Sequence, residues 1–372
     1  MNYTNIDFNQ LFGSNDQTNP IMMLIWIVPI IIFVFYGQRI QLQITSGDLK
    51  KGIKKLEEYK IESRNELIGY IKNMNPKDDP TKKIDRFLDY FTILPVNMDP
   101  NGIVTKVRHI VRSREDYSRE QVKSISSDMS DLELTKIQTL LEIATSLQML
   151  YKVVNHLFLT AKKQNNYPLI LPLQMMMPFI MEEAEAMQKA IPAFKMGQPI
   201  GDGIGPMVIG KMMSGLQKEL IAFQTVLCET EYAGRKLFLL KAEGPGAVVG
   251  RPGDAVQSIV SKTKIDAIIM VDASLKMEGE KSATIAQGFG AAIGGIGTER
   301  FQIEDIATKH EIPIFSIVIK QSIKEAINLM TKEIADNVDE IRLQIFDMVQ
   351  DNTKSGQTVL LIGVGNTMGV SQ

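Results

Sequence analysis

The sequence predicts an α/β protein with a single N-terminal transmembrane helix, a helical middle region and a C-terminal, mostly parallel sheet with helices on both faces. Three observations predict it. Residues 20–36, PIMMLIWIVPIIIFVFY, form an apolar run without a charge. From 47 to about 115, charged and apolar residues recur at helical spacing, and a long helical pattern follows over 128–163. Beyond 197, short near-continuous apolar runs alternate with helices and glycine-rich loops, the pattern of strands covered on both sides. At 372 residues and 44% hydrophobic, the chain has room for several domains and a sizeable core.

Taken in order, residues 1–19 read as a polar extracytoplasmic tail carrying Asp7 and Asp16. Residues 20–37 come next, as the membrane helix. At ~1.5 Å per residue the apolar run makes about 25 Å, enough to cross a core of roughly 30 Å with modest adjustment. Membrane helices tolerate a proline such as Pro29. No Lys or Arg precedes Arg39, and no small-residue cleavage pattern comes after the run, so a retained anchor is expected over a signal peptide. Arg39, Lys50, Lys51, Lys54 and Lys55 all lie C-terminal to it, which orients the C-terminal part to the cytoplasmic face of the cell membrane.

Residues 38–196 read as a helical juxtamembrane and connecting region, cut by the turns NPKDDP and LPVNMDPNG. A long helix is expected over 128–163. The segment 168–181, PLILPLQMMMPFIM, holds three prolines and is too short to span, so it reads as buried or interfacial. These helices, with 21 methionines in the chain, suit a protein partner or a homo-oligomer. A net charge of -2 argues against nucleic-acid binding. The lone Cys228, expected on a helix, excludes an intramolecular disulfide and a cysteine-rich zinc site. His109, His156 and His310 have no partners at ligand spacing.

Residues 197–372 form the α/β domain. The pattern predicts a helix over 206–229, a strand over 236–242, a helix from Ala255, and a strand over 266–273. A long glycine-rich stretch and a short helix then lead to a third strand, IPIFSIVIK. A single helix over 323–350 leads to the last, TVLLIGVG. Ligands of such sheets bind beyond the carboxyl ends of the strands. Acidic residues gather there: Glu243, Asp272, Glu278 and Glu280, with Asp202 opening the domain and Glu299 closing the glycine stretch. Lys241, Arg251, Lys276, Lys281 and Lys320 are interleaved with them, and Gly246, Gly365 and Asn366 lie in the loops. Carboxylates without histidine or cysteine suit a divalent cation, Mg or Mn before Zn, or general acid–base work. Glycine loops with nearby lysines equally suit a small anion or nucleotide, the basis of a non-catalytic binding module or membrane scaffold. No complete dinucleotide fingerprint, G-K-[ST], G-x-S-x-G or H-E-x-x-H occurs, so there is no nicotinamide, flavin or ATP motif.

Through PIGDGIGP, KAEGPGAVVGRPG, VDASLKMEGEK and LIGVGNTMGV the chain resembles, over nearly its full length, an archaeal family of membrane-anchored proteins of uncharacterised function. Residues 197–372 also resemble, more distantly, the hydrogenase-maturation endopeptidases. GDGIGP is similar to their metal-binding loop, with Asp202 in the place of the acidic ligand, and IMVDAS to their strand-ending V-D-A, with Asp272 as a further ligand. GVGN is similar to the end of their opening strand. GGIGTERFQIEDIATKHEIPIFSIVI resembles the spore-germination protease of the same general fold. This likeness implies a phosphorylase/hydrolase-like, circularly permuted fold and a metal-dependent, peptidase-like hydrolase. Asp202, Asp272 and Glu299 would be its catalytic residues, Asp202 and Asp272 its metal ligands. The family's histidine ligand has no counterpart, and Glu299 falls only near its place.

Overall fold

The computed structural model describes residues 20–371 apart from 77, 91–101, 126–128, 165–166 and 296. The expected tail over 1–19 and most of the LPVNMDPNG turn lie outside the described residues. Two compact units are present. One is drawn from residues up to Lys54 together with Lys152–Pro178, the other from Lys55–Tyr151 and Phe179–Gln372.

Helix α1 runs without a break over Pro20–Lys72. After it come α2 (Thr81–Leu88), α3 (Ile103–Lys123), α4 (Asp131–Lys163) and α5 (Tyr167–Met196). In the first unit α4 and α5 bury Val154, Phe158, Ala161, Ile170, Leu173 and Met177, and α1 buries Leu49 and Ile53. Gly52 lets α1 lie against the Met177 thioether. Among the described residues no helix is long and apolar enough to cross a membrane. Residues 20–24 and 33–35, within the run expected to span, are not among those whose side chains are described. In the second unit α1 and α4 run antiparallel, with Glu57 beside Tyr151 and Tyr70 donating to Glu133. There α5 runs in the same direction as α1, Gln188 meeting Glu62 and Lys195 meeting Glu66.

The rest of the second unit is a three-layer sandwich. A 3₁₀ turn at Gly201–Gly203 opens into α6 (Ile204–Met212). Then come β1 (Glu219–Ala222), β2 (Thr225–Tyr232), β3 (Arg235–Ala242), α7 (Pro252–Val260), β4 (Ala267–Leu275) and β5 (Ile285–Phe289). The chain finishes with α8 (Thr298–Lys309), β6 (Ile314–Gln321), α9 (Ile323–Ile327), α10 (Lys332–Asp336), α11 (Val338–Asn352) and β7 (Thr358–Gly363). The sheet order is β1-β2-β3-β7-β4-β6-β5. The four central strands are parallel, while β1, β2 and β5 join antiparallel at the edges. Strand period assigns alternate residues to opposite layers. Leu237, Leu239, Ile269, Val359 and Leu361 face α6 and α11, and Phe238, Leu240, Ile268, Met270, Leu360 and Ile362 face α7 and α8. Both faces being covered is why these strands read as unbroken apolar runs.

Three sequence expectations are corrected. The helix expected over 206–229 ends at Met212 and gives way to the β1–β2 hairpin, so Cys228 is a buried strand residue. Strand β5 is hidden in the glycine-rich stretch, so with β1 and β2 the sheet has seven strands where four were expected. The helix expected over 323–350 is three helices, because Ser322 caps α9 in a capping box and the Thr331 hydroxyl caps α10 afresh.

Candidate functional site

The last strand, β7, lies at the centre of the sheet between β3 and β4, so its loop meets the loops of its neighbours. Glycine makes that approach possible. A Cβ on Gly205 would collide with the carbonyl oxygens of Val271 and Val364, and one on Gly365 (φ +131) with that of Asp202. The first turn of α6 therefore rests directly on the ends of β4 and β7. The Asn366 amide donates to Asp202 Oδ2 at 2.8 Å, joining GDGIGP to GVGN. Thr367 Oγ1, fully buried, lies 2.8–3.0 Å from the carbonyl oxygens of Gly246, Glu243 and Val248 and fixes the loop after β3 to the same point.

These loops enclose a cavity of about 380 Å³ lined by Asp202, Asp272, Glu299, Gly365 and the glycines of 294–297, with Val249, Ile293 and Val364 as apolar walls. Asp272, three residues before the end of β4, is 5% exposed. Its Oδ1 accepts from the Ala273 amide at 2.8 Å, and the Gly294 amide also donates to the carboxylate. Burial raises its pKa well above the ordinary carboxylate value, and the neighbouring charge of Asp202 raises it further. Burial likewise raises Asp202, against the lowering effect of the Asn366 amide. The two carboxylates face one space, and it is backbone amides that compensate them. Each carboxylate therefore keeps its proton to a higher pH than an ordinary one, and a cation between them would relieve the same repulsion.

Glu299 lines the cavity with both oxygens engaged. Oε2 accepts from the Gly253 amide at the start of α7 (2.8 Å), and Oε1 pairs with Arg112 at 3.1 Å. Arg112, on α3, also holds Asp254 at 3.0 Å. Val111 and Glu115 of the same helix complete the cavity wall, and burial raises the Glu115 carboxyl. Sequence reasoning missed Arg112, Glu115 and Thr367. Nothing in the spacing around the first two points to a sheet more than a hundred residues away, and Thr367 shows only as the residue after GVGN.

The other candidates separate from this centre. Lys241 is buried on β3 beneath α6, where its Nζ donates to the Ala242 carbonyl at 2.7 Å and burial lowers its pKa to about 8. Arg251 pairs with Asp116 at 3.5 Å and lies over the Phe223 ring. Lys276, Glu280 and Lys320 form their own group, with Lys320 3.9 Å from Glu280 and Lys276 donating to the Glu280 carbonyl. Glu243, Glu278 and Lys281 are exposed, and Gly246 packs on Thr135. Asn366 contributes its main-chain amide, while its side-chain oxygen accepts from the Met368 amide. Among the described residues no group of three or more His, Cys, Asp or Glu is placed to hold a metal ion. The donor set at the cavity is two carboxylates, which fits a hard, largely hydrated cation such as Mg²⁺ or Mn²⁺ and not the nitrogen- and sulfur-rich shell of zinc.

No curated protein and no solved structure matches the chain. Residues 23–197 match the model of the N-terminal domain of the DUF1512 proteins, a family of unknown function, and residues 200–371 match the DUF1512 C-terminal domain of unknown function. The cavity thus takes Val111 and Glu115 from the first domain and its aspartate pair from the second. The chain belongs to the DUF1512 family and is built, nearly end to end, from that family's two domains.

Proposed function

We propose that the chain is a membrane-anchored hydrolase, peptidase-like in character, in which Asp202 and Asp272 act together on a water molecule. The observation that carries this is the meeting of the two aspartates in one concave, glycine-walled space at the carboxyl ends of parallel strands, each with a raised pKa. The carboxylate that has lost its proton accepts one from water, and the partner that keeps its proton donates it to the leaving group. The amides of Ala273, Gly294 and Asn366 hold the two groups in place throughout. If a divalent cation serves the site, Asp202 and Asp272 would hold it, and it would supply Lewis-acid polarisation of the bond being cleaved. The resemblance of GDGIGP and IMVDAS to a peptidase family's ligand motifs supports peptide-like over other substrates.

Anchoring rests on the apolar run of α1. Its described side chains stand in solvent, among them Ile25 (63% exposed), Trp26 (70%) and Ile30 (59%). An apolar surface of that kind needs a cover, and lipid is the cover that suits a charge-free run with Arg39 and four lysines beyond it. The C-terminal domain would then face the cytoplasm.

The test is turnover by the full-length protein in detergent, on panels of peptides and esters, with and without Mg²⁺ or Mn²⁺. Asp202→Asn and Asp272→Asn are each expected to reduce it at least ~100-fold. Well-folded protein with no turnover on any panel would count against the reading. Undiminished turnover in Asp272→Asn would end it.

A further inference from the structure

The hairpin formed by the end of α4 and the start of α5 is apolar on more faces than it buries. One face packs inward through Val154, Phe158, Ile170 and Met177. The other leaves Leu157, Leu159 (53%), Leu171 (43%), Met175 (68%) and Met176 (57%) uncovered. A helix apolar all round belongs in a core or in lipid. At 14 residues with three prolines, the stretch 168–181 cannot cross a bilayer.

The level of this hairpin is set by helix register. Gly52 of α1 lies against Met177 of α5. Both helices continue unbroken into the other unit, where Glu62 meets Gln188 and Glu66 meets Lys195, so α5 follows the direction of α1. With a rise of ~1.5 Å per residue, the tip at Tyr167 stands ~15 Å back from the Gly52 contact, and Tyr36 stands ~24 Å back along α1. The tip therefore falls within ~9 Å of the end of the apolar run, the depth of a headgroup layer. Lys162 and Lys163 are exposed at that tip, and Lys50, Lys51 and Lys54 are exposed on the neighbouring stretch of α1. Basic groups bordering uncovered leucines and methionines complement an anionic lipid surface.

We infer that the α4–α5 hairpin is a second membrane-contacting element, which seats Leu157, Leu159, Leu171 and Met175 among lipid headgroups and acyl ends and pairs Lys162 and Lys163 with anionic lipid. This rests on the anchored reading of α1.

Introduced cysteines at Leu159, Leu171, Ile30 and Lys309 of the full-length protein, each carrying an environment-sensitive fluorophore, test this. Cys228 is buried and stays unlabelled. The protein is reconstituted into phosphatidylcholine vesicles with about one quarter phosphatidylglycerol, and quenchers are placed at headgroup or acyl depth. The expected result is headgroup-depth quenching at 159 and 171, acyl-depth quenching at 30 and none at 309, with the tip signal weakened by Lys162→Glu with Lys163→Glu. Quenching at 30 with tip labels no different from 309 would overturn the hairpin and leave the anchor. Loss of quenching at 30 as well would remove the anchor reading too. Tip cysteines that cross-link between copies while untouched by lipid quenchers would replace the lipid surface with a second copy of the chain.

Discussion

Asp272 carries a cost in the folded state that a catalytic carboxylate would be expected to carry. It is nine-tenths buried beside a second aspartate, and two backbone amides compensate its charge only in part. A carboxyl whose folded pKa lies above the ordinary 3.8 keeps its proton longer in the native state than in the unfolded chain. Stability is then fully retained below 3.8 and falls as pH rises through the window up to the raised value. Asp272→Asn removes that loss. Its stability relative to the parent should grow as pH rises from 4 toward 8, reaching ~1–2 kcal/mol, or about 2–8 °C in Tm, while turnover disappears. Thermal melts of both proteins across that pH range check it, and a variant less stable than its parent at pH 8 would mean that the charge pair carries no such cost. Asp85 and Asp339, held down chiefly by hydrogen bonds from Arg64 and Lys211, act in the opposite sense and lose their contribution as pH falls.

Among the elements, the contact of α6 with the strand ends sets the distance between the aspartates. Gly205 packs against the carbonyls of Val271 and Val364, and the Val364 amide is itself bonded to the Val271 carbonyl at 2.8 Å, so neither can retreat. Gly205→Ala should lift α6, cost ~1–3 kcal/mol and part Asp202 from the Asn366 amide. Gly288→Ala, on edge strand β5 with open space at the Cβ position, should change stability by under ~0.5 kcal/mol. Urea unfolding of the pair measures the contrast, and equal stabilities would contradict the packing. The same elements separate the legible from the hidden. The four central strands stand out as apolar runs because helices cover both faces, and the loops GDGIGP and GVGN mark Asp202 and Asn366 while the apolar run of β4 marks Asp272. Strand β2 is obscured by the same cause, since Val226, Leu227 and Cys228 are consecutively buried and a short apolar run fits helix and strand alike. Strand β5 has two partly buried and three exposed residues and lies in a glycine-rich stretch, so no period marks it. The break at Asn328 is followed by a fresh cap at Thr331, a local signal weaker than the helical period on either side, and no side-chain cap marks the break at Asn337.

For the whole molecule, the dependence of the site on the helical half is beyond reach of the sequence, because it is carried by contacts at long range, of which Arg112 makes the pair nearest the cavity. Arg112 reaches from α3 to Asp254 on α7 and Glu299 on α8, and so seats Val111 and Glu115 over the cavity. The N-terminal domain therefore supplies a wall to a cavity whose aspartate pair belongs to the other domain. Arg112→Ala leaves the aspartate pair untouched but strips Glu299 and Asp254 of their cation, and should cost about 1–2 kcal/mol. The larger effect should fall on substrate binding. With α3 loosened, KM should rise ~10-fold or more while kcat changes by less than ~3-fold, since wall contacts hold substrate and transition state alike. Hydrogen exchange should quicken across 103–123 and remain slow in β4 and β7, whose side chains are buried on both faces. Arg112→Lys keeps a charge but not the two-pronged geometry and should fall between parent and Ala. A kcat lost with KM unchanged would place Arg112 in the chemistry itself, and unchanged kinetics with faster exchange in α3 would make the helix a bystander to the site.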